Sequence, residues 1–329
     1  MNTANTTPTP LSETQKNVLK VLSRDGFVTI PNLWEHDQLS RLISVCSKFM
    51  AEQPVKHWGS RPAFGKEFRL PIFEDKNWAV LSNLSGLSDD FDTFLEELLS
   101  DRYLRPILDV ILGKGYKIWE TSIRRSQIAN GGLALHQDSV GEFGLSILLT
   151  DISDSRGTTV FLKGSHRYPV SCRESGLDQF SPSFIQPFLS PAVGKAGDIV
   201  LFYKNVWHGR TSCKIPKPQD AILMSFIASG YDYQSFDVPQ ELLSKLPSET
   251  SSMLNPYCNT RLLQSGRRLV ESPQPQEGRL IDDVYQMKPW DVHPSQLLRI
   301  FGPVGSLKRR ARFALGKFRA SKSRGGNPQ

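Results

Sequence analysis

The chain reads as an α+β protein in which helices come first and a run of short strands then builds a β-sandwich or barrel. Three observations predict this. Amphipathic helical stripes occupy the first part of the chain, strand patterns follow one another from Tyr116 to about Ser229, and turns rich in Gly, Pro, Asp and Ser separate them.

Ser12 and Gln15 are spaced as a capping box, and Val18, Leu19 and Leu22 continue as the apolar stripe of a first helix. Asp25-Gly26 punctuates it, "FVTI" reads as a strand, and Leu39, Leu42, Ile43 and Cys46 mark one side of a second helix. The section from Gln53 to Leu87 looks like loop, and two more helices are expected near Asp89–Ser100 and Arg102–Leu112. The strand series is "YKIWETSIRRSQI", "GLSILLTDI", "TTVFLKGS", "DIVLFYK" and "AILMSFIA". The expected organisation is a disordered leader over 1–12, a β-rich domain over 13–233 and an extension over 234–329 that ends in a basic tail.

With 329 residues, 39% hydrophobic and 22% charged, the chain can bury a sizeable core and has an ordinary globular composition. No apolar run approaches the roughly 20 residues that span a bilayer. The opening "MNTANTTPTPLSETQ" lacks the basic and apolar regions of a signal peptide, so a cytoplasmic location is expected. Cys46, Cys172, Cys213 and Cys258 are scattered with no CxxC pair, which suits reduced thiols and argues against a zinc-thiolate site.

The net charge of +7 is local: residues 305–326 hold eight Lys or Arg and no acid, and without those eight the chain stands at −1. Phe301, Val304, Leu307, Phe313, Leu315 and Phe318 interleave with the charges. That composition suits either a solvated tail or weak contact with an anionic membrane surface. No nucleic acid is expected as a partner, because no recognised binding fold accompanies the tail.

The chemistry concentrates in "LALHQDSVGEFGLSILLTDI". In an extended chain, residues i and i+2 share a face, so His136 and Asp138 project together and Gln137 turns away. Such a pair arises by chance about 0.3 times in a chain of this composition, and it equally suits a core histidine beside a turn-forming aspartate. The context such a pair needs is offered by "GDIVLFYKNVWHGRTSC", where His208 follows a strand. Two imidazoles and one carboxylate form the set that holds one face of an octahedral Fe(II) and leaves three positions open.

"DGFVTIP", "LHQD", "GTTVFLKGSHR" and "GDIVLFYKNVWHG", in this order across about residues 12–230, resemble the successive signatures of the phytanoyl-CoA dioxygenase family. The resemblance implies a double-stranded β-helix, a jelly-roll or cupin-like core, with N-terminal helices packed outside it. It implies Fe(II), 2-oxoglutarate as co-substrate, O2, and a small-molecule or lipid-like metabolite that is hydroxylated. His136, Asp138 and His208 match its three iron ligands. Phe202, Trp207 and Phe226 are candidates for an apolar wall, with core packing as the other role open to each.

The sequence departs from that family at one point. The Arg that anchors the far carboxylate of 2-oxoglutarate stands eleven residues after the distal His, and that position here is Gln219. Arg210, Lys214 and Lys217 from the adjacent loop, or Arg124 and Arg125 from the preceding strand, could supply the charge instead. Gln127 occupies a place where the resemblance implies a polar co-substrate contact. The alternatives are a different keto acid, or a non-catalytic or keto-acid-independent metal-binding module on the same scaffold. His166, between Gly164-Ser165 and Arg167, is expected to belong to a structural turn, and His36, His57 and His293 lack a partner pattern.

Overall fold

A computed structural model of the chain describes residues 10–53, 55–57, 72–74, 78–130, 132–138, 141–153, 157–168, 172, 182, 185–215, 217–228, 240–254 and 280–283. The first half holds α1 (Glu13–Asp25), β1 (Phe27–Ile30), α2 (His36–Glu52), β2 (Val55–His57), β3 (Ile72–Glu74) and β4 (Trp78–Ser82). Two helices follow, α3 (Asp89–Ser100) and α4 (Leu104–Leu112). The strand series is β5 (Lys117–Ser126), β6 (Ala129–Asn130), β7 (Leu133–His136), β8 (Glu142–Leu148), β9 (Thr159–Phe161) and β10 (Ser190–Pro191). It continues through β11 (Ile199–Tyr203), β12 (His208–Arg210), β13 (Cys213–Lys214) and β14 (Gln219–Ile227). Short helices α5 (Gln240–Leu243), α6 (Ser248–Leu254) and α7 (Leu280–Asp283) close the described part.

The strands form a jelly roll of two facing sheets. The larger has the order β1-β11-β8-β14-β5-β4-β3-β2 and the smaller β10-β9-β12-β7, with β13-β6 as a separate ribbon. Side chains alternate across the larger sheet, as the period of two requires. Ile123, Ile147, Leu201, Ile222 and Met224 face the helices and join the main core with Leu95, Leu99, Leu104 and Ile107. Leu148, Val200 and Phe202 face the smaller sheet, where Phe161 meets them. The space between the sheets is where the site lies.

Helix α1 begins with the expected capping box, Ser12 Oγ accepting from the Gln15 N–H and Gln15 Oε1 from the Ser12 N–H. It ends at Gly26, whose φ of +86° is the left-handed turn that only glycine adopts without strain. The section from Gln53 to Leu87 corrects the sequence reading: β2, β3 and β4 extend the larger sheet there, with β4 paired antiparallel to β5. Strands of three to five residues carry too few alternations to register as a period. Beyond residue 233, Leu243, Leu246, Met253, Leu254 and Ile281 enter the main core. The basic stretch 305–326 and residues 1–9 lie outside the described residues.

Candidate metal centre

Strand β7 ends at His136 and β12 begins at His208, and the two are direct partners in the antiparallel ladder between these strands. Opposed residues send their side chains to one face. The register alone therefore sets the imidazoles side by side, with centroids 4.3 Å apart and planes tilted by 50°. A Cβ on the next residue, Gly209, would come within 2.7 Å of the Leu133 carbonyl oxygen, so β12 lies this close to β7 because the position has no side chain.

Asp138 follows β7 in a turn pinned by its own N–H, which donates to the Lys204 carbonyl at 2.9 Å. Gln137 does turn away: its Oε1 accepts from the Cys172 N–H at 2.7 Å. Each histidine uses Nδ1 on a backbone carbonyl two residues earlier, His136 on Ala134 at 3.0 Å and His208 on Val206 at 2.8 Å. A carbonyl only accepts, so Nδ1 carries the proton in the neutral form of each ring, and Nε2 is the nitrogen that can ligate. Those two nitrogens meet the carboxylate: His136 Nε2 lies 3.9 Å from Asp138 Oδ1, and His208 Nε2 3.7 Å from Oδ2. The three ligand atoms lie within 4.8 Å of one another, a span one cation bridges.

Electrostatics favour the ligand forms. Burial pushes the His208 imidazole down to about 3, and neighbouring His136 adds to the effect, so the ring is neutral at physiological pH. Burial raises the Asp138 carboxyl, but the Lys204 ammonium, close by and hydrogen-bonded to it, leads the effects that outweigh burial and hold the group below its ordinary value. Two imidazole nitrogens and one carboxylate oxygen suit a divalent iron, with a face left for exogenous ligands.

The three residues sit in the wall of a cavity of about 380 Å³ between the sheets. Leu148, Phe161, Val200, Phe202 and Leu223 supply an apolar side, and Trp78, Arg124, Ser126, Arg210 and Gln219 a polar one. Of the aromatic residues singled out in the sequence, Phe202 lines this cavity; Trp207 packs with Leu135 and Val160, and Phe226 joins the helix-side core.

The candidates for an anchoring charge separate cleanly by strand face. Arg125 points away from the cavity into a bidentate pair with Asp220, both contacts at 2.8 Å. Arg124, one residue back, lines the cavity and binds Glu120 at 2.5 Å. Arg210 shares the face of His208, two residues on, and donates to Ser126 Oγ at 2.6 Å while lying 5.9 Å from the Trp78 ring centroid. Ser126 is the ladder partner of Gln219, so the Arg210 guanidinium ends beside the position where the sequence lacks an arginine. Gln219 Oε1 is buried without a hydrogen-bond partner. Gln127 is half-buried and is not among the residues lining the cavity, Lys217 is exposed, and the Lys214 side chain lies outside the described residues.

Sequence reasoning missed Lys204, whose Nζ lies 3.2 Å from Asp138 Oδ2. It also missed Trp78, which sat in a section read as loop.

Among known proteins, ectoine dioxygenase from Bordetella bronchiseptica is 24% identical over 238 residues, 62% of this chain and 72% of that protein. The solved structure of SnoN, an α-ketoglutarate-dependent epimerase from nogalamycin biosynthesis, shares the fold with a TM-score of 0.52 and 16% identity, over 71% of this chain and 90% of that one. HygX from Streptomyces hygroscopicus, solved with nickel and 2-oxoglutarate, gives 0.52 and 15% over 71% and 94%. The family description "Phytanoyl-CoA dioxygenase (PhyH)" matches residues 22–211, more than half of the chain. On that match the chain belongs to the phytanoyl-CoA dioxygenase family.

Proposed function

We propose that the protein is an Fe(II)- and 2-oxoglutarate-dependent oxygenase that hydroxylates a small-molecule or lipid-like metabolite. The observation that carries this is the convergence of two Nε2 nitrogens and one carboxylate on the wall of a cavity that also holds a guanidinium. In this reading His136, Asp138 and His208 hold the metal. When bound, Fe(II) would supply open positions for a chelating keto acid and dioxygen, and couple the conversion of 2-oxoglutarate to succinate and CO2 with substrate oxidation. Asp138 contributes one negative charge, and the hydrogen bonds from Nδ1 to Ala134 and Val206 keep both imidazoles aimed.

Arg210 binds the far carboxylate of 2-oxoglutarate. A guanidinium can bind a carboxylate bidentately, and Ser126 and the Trp78 ring hold this one in place. Gln219 lies alongside, where turning its amide over presents an NH2 to the same carboxylate. The apolar side formed by Leu148, Phe161, Val200, Phe202 and Leu223 excludes water and seats the substrate carbon.

Anaerobic addition of 2-oxoglutarate to the Fe(II)-loaded protein is expected to give a visible charge-transfer band, and admission of air to release succinate. Iron bound without either signal overturns the keto-acid part. Gln219 favours the second reading, a metal-binding module that uses no keto acid, and that reading requires an iron site indifferent to 2-oxoglutarate.

A further inference from the structure

We infer that Lys204 is a positioning residue that holds Asp138 as a single-oxygen ligand, so that three metal positions stay open. The inference rests on the oxygenase reading above and deepens it. Lys204 follows β11 and precedes His208 by four residues, so one short segment carries a metal ligand and a grip on another. The grip is double. Its carbonyl accepts the Asp138 N–H at 2.9 Å, and its Nζ lies 3.2 Å from Asp138 Oδ2. Its own N–H donates to the Glu142 carbonyl at 3.2 Å, which ties the segment to β8.

The side chain is 7% exposed, and an ammonium buried this far needs a counter-charge within reach. Among the described residues, Glu120 is a second acid close enough to feel it. The oxygens of Glu120 are taken by Ser122 at 2.9 Å, Arg124 at 2.5 Å and Ser225 at 3.1 Å. The Phe202 ring flanks it as well, with its centroid 5.7 Å from Nζ. The close ionic contact of Lys204 is therefore with Asp138, and it makes the two carboxylate oxygens unequal: Oδ2 carries the ammonium and Oδ1 does not.

Coordination arithmetic gives this inequality a consequence. Two imidazoles and one oxygen leave three of six positions, enough for a bidentate keto acid and dioxygen. Two imidazoles and both carboxylate oxygens leave two, and the keto acid or dioxygen then has no place. An ammonium on Oδ2 opposes that second bond by charge repulsion with the cation and by occupying the lone pair.

The test compares wild type with K204M, K204Q and K204R, after circular dichroism confirms folding, by titrating Fe(II) and then, anaerobically, 2-oxoglutarate through the charge-transfer band. K204M is expected to bind Fe(II) as tightly as the wild type or more tightly. It is expected to need roughly tenfold to a hundredfold more 2-oxoglutarate, an effect of the size that outer partners of metal ligands exert on a site. K204R is expected to recover most of the keto-acid affinity. If K204M does not fold, K204Q gives the same reading, with an effect between the two. A Lys204 that merely packs the protein predicts iron and keto-acid affinity falling together; that result, or a K204M or K204Q titration like wild type, overturns the inference. A wild type that binds iron and shows no band sinks the oxygenase reading and the inference with it.

Discussion

The mouth of the jelly roll and the joint where α1 meets it each bury a histidine that is neutral at physiological pH. At the mouth, His208 spends Nδ1 on the Val206 carbonyl and turns Nε2 toward Asp138 and the cavity. At the joint, His166 spends Nε2 on the Ser23 carbonyl at 3.1 Å, stacks on Tyr203, and turns Nδ1 toward Gly26, where it has no hydrogen-bond partner. Burial pushes both imidazoles down, His166 to about 4. Burial and neutrality therefore do not make a ligand. What separates the two is the surroundings of the second nitrogen, a carboxylate and open space in one case and a helix terminus in the other.

That contrast can be broken most forcefully at the mouth. H136A, D138A and H208A are each expected to abolish Fe(II) binding in calorimetric titration, whereas H166Q is expected to leave it intact. Iron binding that survives any of the three mouth changes would erase the distinction. Next in size, R210M is expected to weaken 2-oxoglutarate by about thirtyfold to a thousandfold, ~2–4 kcal/mol for a desolvated charge pair, with iron affinity unchanged. Unchanged 2-oxoglutarate affinity would remove Arg210 from the role.

At the joint the readout is stability. H166Q is expected to lower unfolding free energy by about 1–3 kcal/mol in denaturant titration. Its pH dependence sharpens the point. The folded imidazole titrates near 4 and the unfolded one near 6.5, so the unfolded chain holds the extra proton between these values. The His166 contribution is thus complete above about pH 6.5 and lost as pH falls toward 4, and H166Q is expected to flatten the slope in that window. The smallest effect belongs to Q15A at the far end of α1. It loses the capping box and the Nε2 bond to the Tyr103 carbonyl, about 1 kcal/mol, with no change at the metal.

Much of the metal centre was legible because it follows from strand phase. The i, i+2 rule put His136 and Asp138 on one face, and a strand ending before His208 brought it back to the same mouth. The same rule applied onward from His208 puts Arg210 on the cavity face and was the available signal for a guanidinium in the cavity wall. It also separates Arg124 from Arg125. Lys204 was not legible: nothing local links a lysine after β11 to a carboxylate 66 residues earlier. Strands β2 to β4 escaped because three to five residues give no measurable period, and with them went Trp78, which turned out to flank the arginines.

Gly209 has a consequence beyond its own strand. The spacing of β12 from β7 is set by a missing carbon, and the neighbours on either side of that gap are the His208 imidazole and the Arg210 guanidinium, which line the same chamber. A methyl inserted there would lever the two ribbons apart, and the seats proposed for the metal and its organic partner would be lost together.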